Sequence, residues 1–128
     1  MSESAQLTLD AGALLALERG QRRVRALLQR AVENHVAISI PAGVVAQSWR
    51  GGPRQARVAR LLGDPTVDVV ALDDLAARAV GLLCARSGHA DVVDVHVALV
   101  ARRRGATVVT SDQADIRQVD PSLRVIVV

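Results

Sequence analysis

The sequence predicts a single α/β domain with a central, mostly parallel sheet of four or five strands flanked by helices. Short β-rich runs alternate with helical stretches, the pattern of a parallel sheet crossed by helices. The runs Val67-Asp68-Val69-Val70 and Val125-Ile126-Val127-Val128 are β-branched, as strands buried in a parallel sheet are. At 128 residues, half of them apolar, the chain fits one domain spanning 1–128. A chain near this size buries roughly two-thirds of its unfolded surface, enough for a sizeable core.

The elements follow in order. Residues 6–9 read as a first strand ending at Asp10, and 11–19 as a helix stopped by Gly20. A second helix covers 22–34, with Val24, Leu27, Leu28 and Ala31 on one face. Residues 36–40 form a second strand, and Pro41 suits the start of the helix 42–49. Gly51-Gly52-Pro53 breaks that helix, and another covers 54–62. Gly63-Asp64-Pro65 is a turn before a strand at 67–71. Asp73 caps a helix reaching about Ser87, which Gly88 ends. Residues 91–104 form a further helix with Gly105 as its stop. A strand at 106–109, a loop or short helix at 111–119 and a last strand at 123–127 complete the chain.

Composition narrows the function classes. All sixteen basic residues are Arg, and ten of the thirteen acids are Asp. With no Phe or Tyr, the core must be aliphatic, and the lone Trp49 is expected to be buried in it or in a dimer contact. The single Cys84 excludes an internal disulfide and reads as a buried, inert thiol. No apolar run approaches the ~20 residues of a membrane span, and the polar first residues lack a signal-peptide pattern. A cytoplasmic protein is expected.

The aspartates carry the chemistry. Ligands of a parallel α/β sheet bind beyond the carboxyl ends of its strands. Asp10 follows the first strand and Asp112 lies just beyond the fourth, so both face that edge. The helix 91–104 returns to the fourth strand through Gly105 alone and must run antiparallel to it. Its first turn therefore brings Asp91 and Asp94 to the same edge, and Asp115 lies three residues past Asp112. Carboxylates this close cannot all ionise without a compensating cation. An all-oxygen donor set suits Mg²⁺, or Mn²⁺, better than Zn²⁺. Asp91 and Asp115 also suit structural roles, as a helix cap or dipole partner and as a turn cap.

The segments Leu7-Thr8-Leu9-Asp10, Asp91-Val92-Val93-Asp94-Val95-His96-Val97-Ala98 and Thr107-Val108-Val109-Thr110-Ser111-Asp112 together resemble the acidic motifs of PIN domains. Their order and spacing most resemble the VapC toxins of bacterial toxin–antitoxin pairs. The resemblance implies a PIN-like fold and a Mg²⁺-dependent endoribonuclease, usually a homodimer, neutralised by a VapB-type antitoxin. It carries the metal-binding and catalytic role to Asp10, Asp94 and Asp112. It also exposes a departure: where the family usually places a Glu after the second strand, Pro41-Ala42-Gly43-Val44-Val45-Ala46-Gln47 offers Gln47, which brings no charge.

Thr110 and Ser111 can hold a water at the metal through their hydroxyls. Arg50 and Arg54 are candidates for contact with an RNA backbone, since Arg binds phosphate bidentately. Arg102-Arg103-Arg104 lies far along its helix from the acidic edge and reads as a solvated face. His96 is expected to be partly buried, and His35 and His89, near turns, carry no signal.

Overall fold

The structure of the protein, a computed structural model, describes residues 6–128. Successive strands are joined by one or more helices. β1 (Leu7–Leu9) leads through Asp10 into α1 (Ala11–Glu18), and α2 (Arg22–Glu33) precedes β2 (Ile38–Pro41). α3 (Ala42–Ser48), a 3-10 turn (Pro53–Gln55) and α4 (Ala56–Leu62) lead to β3 (Val67–Val70). Then follow α5 (Asp74–Ser87), α6 (Val92–Arg104), β4 (Thr107–Thr110), α7 (Gln113–Val119) and β5 (Val125–Val127).

The five strands form one sheet in the order β3-β2-β1-β4-β5, and every pairing is parallel. Leu7 pairs with Ile38 on one side and Thr107 on the other, which makes β1 the central strand. The core is aliphatic, as the composition requires: Leu9, Leu14, Ile38, Ile40 and Ile116 are fully buried. Each such side chain contributes roughly 1.5–3 kcal/mol on leaving water.

α6 is the central helix. Its residues Val95, His96, Val97, Ala98, Leu99, Val100 and Ala101 are all buried, so the helix has no solvent face over two turns. A helix apolar all round belongs inside a fold. It packs on β1, β2 and β4 and is covered by α5 and α7. The start of α6 is thereby fixed against the sheet. Gly105 adopts the left-handed conformation (φ 62°) that closes the helix.

Four expectations change. β3 and β5 are the two edges of the sheet, so Val69 and Val127 are exposed; β-branching there marks a strand but not a buried one. Trp49 is 42% exposed, because α3 ends at Ser48 and the chain turns outward there. Cys84 is only half-buried. Arg102 and Arg104 are not simply solvated: they pair with Asp120 and Asp68, both at 2.8 Å.

Candidate functional site

Along this sheet the chain builds outward from β1 in one direction and then from β4 in the other. The reversal falls between β1 and β4. The crevice outside the carboxyl ends of two such strands is where open α/β sheets bind ligands. Asp10 ends β1 there, and Thr110 ends β4.

Asp10 is buried, and both of its oxygens are engaged. Oδ1 accepts from the Ala13 backbone N–H at 2.9 Å, which caps α1. Oδ2 accepts a short hydrogen bond from the Thr110 hydroxyl. The same Thr110 Oγ1 accepts from the Asp112 N–H at 2.9 Å, so one hydroxyl ties the two aspartate positions together. Ser111, between them, lies over Gly12: a Cβ at Gly12 would stand 2.1 Å from Ser111 Oγ. A side chain at residue 12 would therefore force the Ser111 hydroxyl to turn away; close approach, not backbone conformation, favours glycine there. Asp112 itself is exposed and caps α7 through the Ala114 N–H at 3.1 Å.

The α6 side is built in the same way. Asp91 Oδ1 accepts from Val93 N–H and Asp94 N–H at 2.9 and 3.2 Å and caps the helix. Asp94, in the first turn, is turned toward the crevice. Its Oδ2 lies 3.0 Å from His89 Nε2, and His89 Nδ1 lies 3.2 Å from Gln118 Oε1. Asp115, in the first turn of α7, joins them: donor atoms of His89, Asp94 and Asp115 all lie within 4.8 Å of one another.

The charges bear on one another across the crevice. Burial raises the Asp10 carboxyl above its ordinary value, against the Thr110 and Ala13 hydrogen bonds, and the charge of Asp94 raises it further. Burial also raises Asp94, against the His89 hydrogen bond, and the charges of Asp91 and Asp115 add to the rise. His89 is raised chiefly by its bond to Asp94. Two carboxyls, Asp10 and Asp94, raised by burial and by neighbouring negative charge fit a site for a cation. The donors, mostly carboxylate oxygens, are those of a hard or borderline divalent ion.

The structure thus gathers Asp10, Thr110 and Ser111 at the strand ends, and Asp91, Asp94 and Asp115 at the helix starts. Asp112 is tied in through its backbone, with its carboxylate on the α7 cap. Gln47 is exposed on α3, one turn beyond Gly43; a Cβ at Gly43 would stand 3.0 Å from Val93 on α6. Gln47 therefore lies on the α3 face that adjoins the start of α6.

The two Arg candidates lie elsewhere. Arg50 donates to the Ala46 and Trp49 carbonyls at 3.1 and 2.7 Å, closing the end of α3. Arg54 lines a cleft of about 770 Å³ with Glu18, Arg19, Arg25, Arg57 and Arg60. That cleft adjoins the last turn of α1, about 12 Å along the helix from Asp10.

Sequence reasoning missed His89. Its five-residue separation from Asp94 matches no helical spacing, and a lone His by a turn has no motif. The available signal was its place in the short loop feeding an Asp-capped helix already assigned to the acidic edge.

A family model described as PIN domain matches residues 7–120. No curated protein sequence matches the chain. Among solved structures, it is similar to VapBC2 from Rickettsia felis bound to a promoter DNA fragment, with TM-score 0.67, 17% identity and 94% and 96% of the two chains covered. It is also similar to FitAcB from Neisseria gonorrhoeae, with TM-score 0.65, 19% identity and coverage of 94% and 96%. PAE2754 from Pyrobaculum aerophilum gives TM-score 0.60, 19% identity and coverage of 96% and 92%. At these identities the likeness concerns the fold. The family match itself spans most of the chain, from β1 to the end of α7, and the chain belongs to the PIN domain family.

Proposed function

We propose that the protein is a divalent-metal-dependent endoribonuclease of the VapC toxin type. The observation that carries this reading is the acidic edge at the β1/β4 crevice: Asp10 buried at the end of β1, and donor atoms of Asp94, Asp115 and His89 within 4.8 Å of one another at the starts of α6 and α7. Membership of the PIN family supports nuclease chemistry, and structural similarity to VapBC2 and FitAcB supports a toxin–antitoxin setting.

In this reading Asp10, Asp94 and Asp112 would hold Mg²⁺ or Mn²⁺, with Asp91 and Asp115 as further carboxylates of the same edge. When bound, such an ion stabilises charge developing on the phosphodiester and activates the attacking water. The chain's own groups fix the geometry. Thr110 holds the Asp10 carboxylate, while Asp91 and Asp112 clamp the helix starts. Ser111, exposed beside Gly12, can orient a water at the site, with Thr110 holding the turn that carries it. The N-termini of α1 and α6 face the same crevice, and their dipoles favour an anionic phosphate there. Arg50 and Arg54 lie away from the crevice and contact RNA only if the strand extends toward the end of α1.

The partners follow from the same site. A VapB-type antitoxin neutralises the protein by covering the acidic edge with a basic side chain. The family resemblance further implies a homodimer acting in the cytoplasm. Among the described residues, no helix is long and apolar enough to cross a membrane. The competing reading is a PIN scaffold that binds RNA or antitoxin without cutting, and the uncharged Gln47 favours it.

Purified protein incubated with cellular RNA separates the two. Cleavage that requires Mg²⁺ or Mn²⁺ and stops with a chelator is expected. Intact RNA at millimolar metal, with RNA or antitoxin still bound, supports the scaffold instead.

A further inference from the structure

We infer that His89 is a direct ligand of the divalent ion through Nε2, so that this chain's centre is a mixed imidazole–carboxylate site that takes Mn²⁺ in preference to Mg²⁺. The inference rests on the metal reading of the acidic crevice and adds to it a nitrogen donor.

Three observations carry it. The first is the convergence of the donors. His89 Nε2 and Asp94 Oδ2 share a proton in a hydrogen bond of 3.0 Å, and a divalent ion held by both would take the place of that proton. Asp115 completes the set, with donor atoms of all three residues within 4.8 Å of one another. The donors come from three different segments: the loop before α6, the first turn of α6 and the first turn of α7. A local hydrogen-bonded turn does not require that convergence.

The second observation is how the ring is held. A ligating His gives its other ring N–H to a polar acceptor, which fixes the tautomer and aims the lone pair. His89 Nδ1 faces Gln118 Oε1 at 3.2 Å, and only 12% of the His89 side chain is exposed. With the ring proton on Nδ1 and bonded to Gln118, the Nε2 lone pair points among the carboxylates.

The third concerns the carboxylates themselves. Both Asp10 oxygens already accept hydrogen bonds, and one Asp112 oxygen is spent on capping α7. Gln47 supplies no carboxylate. The strand side thus has one carboxylate fewer than the family's usual set, whereas donor atoms of His89, Asp94 and Asp115 cluster on the helix side. An imidazole nitrogen favours first-row transition ions, of which Mn²⁺ is the hardest and the one that shares Mg²⁺'s liking for carboxylates, whereas Mg²⁺ is served by oxygen donors alone.

The test uses the full chain with Mn²⁺ alone and with Mg²⁺ alone. Pulsed electron paramagnetic resonance of the Mn²⁺-bound protein is expected to show coupling to a histidine nitrogen. That coupling disappears in His89→Ala and in His89→Gln. The ratio of Mn²⁺ to Mg²⁺ affinity, from calorimetry, falls about tenfold in both variants. Two variants are used because loss of the Gln118 contact can loosen the loop, and an unchanged far-UV spectrum in either suffices. If the wild type binds Mn²⁺ without nitrogen coupling, or the coupling survives both substitutions, the His89 ligand is excluded while the metal centre stands. If the wild type binds neither ion, both readings fall.

Discussion

The Thr110 hydroxyl donates to the buried carboxylate of Asp10, and the same oxygen accepts from the backbone N–H of Asp112. One side chain at the end of β4 thus sets the position of the acid that ends β1 and of the turn that opens α7. Thr110→Val keeps the shape and removes both bonds. It leaves a buried carboxylate oxygen without its donor, which costs about 1–3 kcal/mol. Denaturant unfolding is expected to register that loss, with cleavage of RNA slowed at least tenfold. Wild-type stability and rate in the variant would show that Asp10 is positioned by other groups.

Thr8 lies one turn of the pleat below Asp10 on the central strand, and its hydroxyl is buried without a partner. A buried polar group left unpaired costs free energy that an apolar isostere does not. Thr8→Val is expected to stabilise the fold by roughly 0.5–1.5 kcal/mol, raising the melting temperature by a few degrees. A lower melting temperature would mean that the hydroxyl has a partner in solution.

Asp120 provides a pH dependence away from the candidate site. Burial pushes its carboxyl up, but bonds from Ser122 and Arg102 outweigh burial and hold it below the ordinary carboxylate value. The unfolded chain then takes up the proton first as pH falls. The stabilisation is complete above about pH 4 and is lost below it, as pH drops through the folded value. Asp120→Asn is expected to be less stable than the wild type at pH 7. The gap should narrow as pH falls below about 4, the ordinary carboxylate value. A gap that stays constant across that range would remove the charge of Asp120 from the explanation.

Gln47 tests how far the missing carboxylate matters. It lies on the α3 face adjoining α6, so a carboxylate there adds attraction for a cation in the crevice. Gln47→Glu is expected to lower the Mg²⁺ concentration for half-maximal cleavage, and Gln47→Ala to slow cleavage without abolishing it. A Gln47→Glu protein that needs more Mg²⁺ would mean that the amide acts through hydrogen bonding and that the carboxylate adds repulsion.

The sheet and its crevice were legible because they rest on local signals. Asp10 after a strand, Asp73 and Asp91 before helices, and Gly88 and Gly105 after them are start and stop marks that the structure uses as such. Strand position was not legible. Val67–Val70 and Val125–Val127 read as interior strands, because β-branching reports strand formation and says little about which neighbours a strand has. Arg102 and Arg104 looked solvated because Asp120 and Asp68, far along the chain, meet them only in the fold. His89 escaped for the same reason: its partners Asp94 and Gln118 sit on two different helices. The helix capping by Asp10, Asp91 and Asp112 adds a role that the metal reading alone did not assign to the first and last.

The central claim is that the β1/β4 crevice holds a divalent ion through Asp94 and its neighbours and uses it to cut RNA. The most direct measurement is the cleavage rate of a labelled RNA as Mg²⁺ is titrated, for the wild type and for Asp94→Asn. The account predicts saturable metal-dependent cleavage by the wild type, and a rate at least a hundredfold lower in Asp94→Asn at every Mg²⁺ concentration, with the fold retained. Equal rates in the two proteins, or wild-type cleavage that persists in excess chelator, would contradict it.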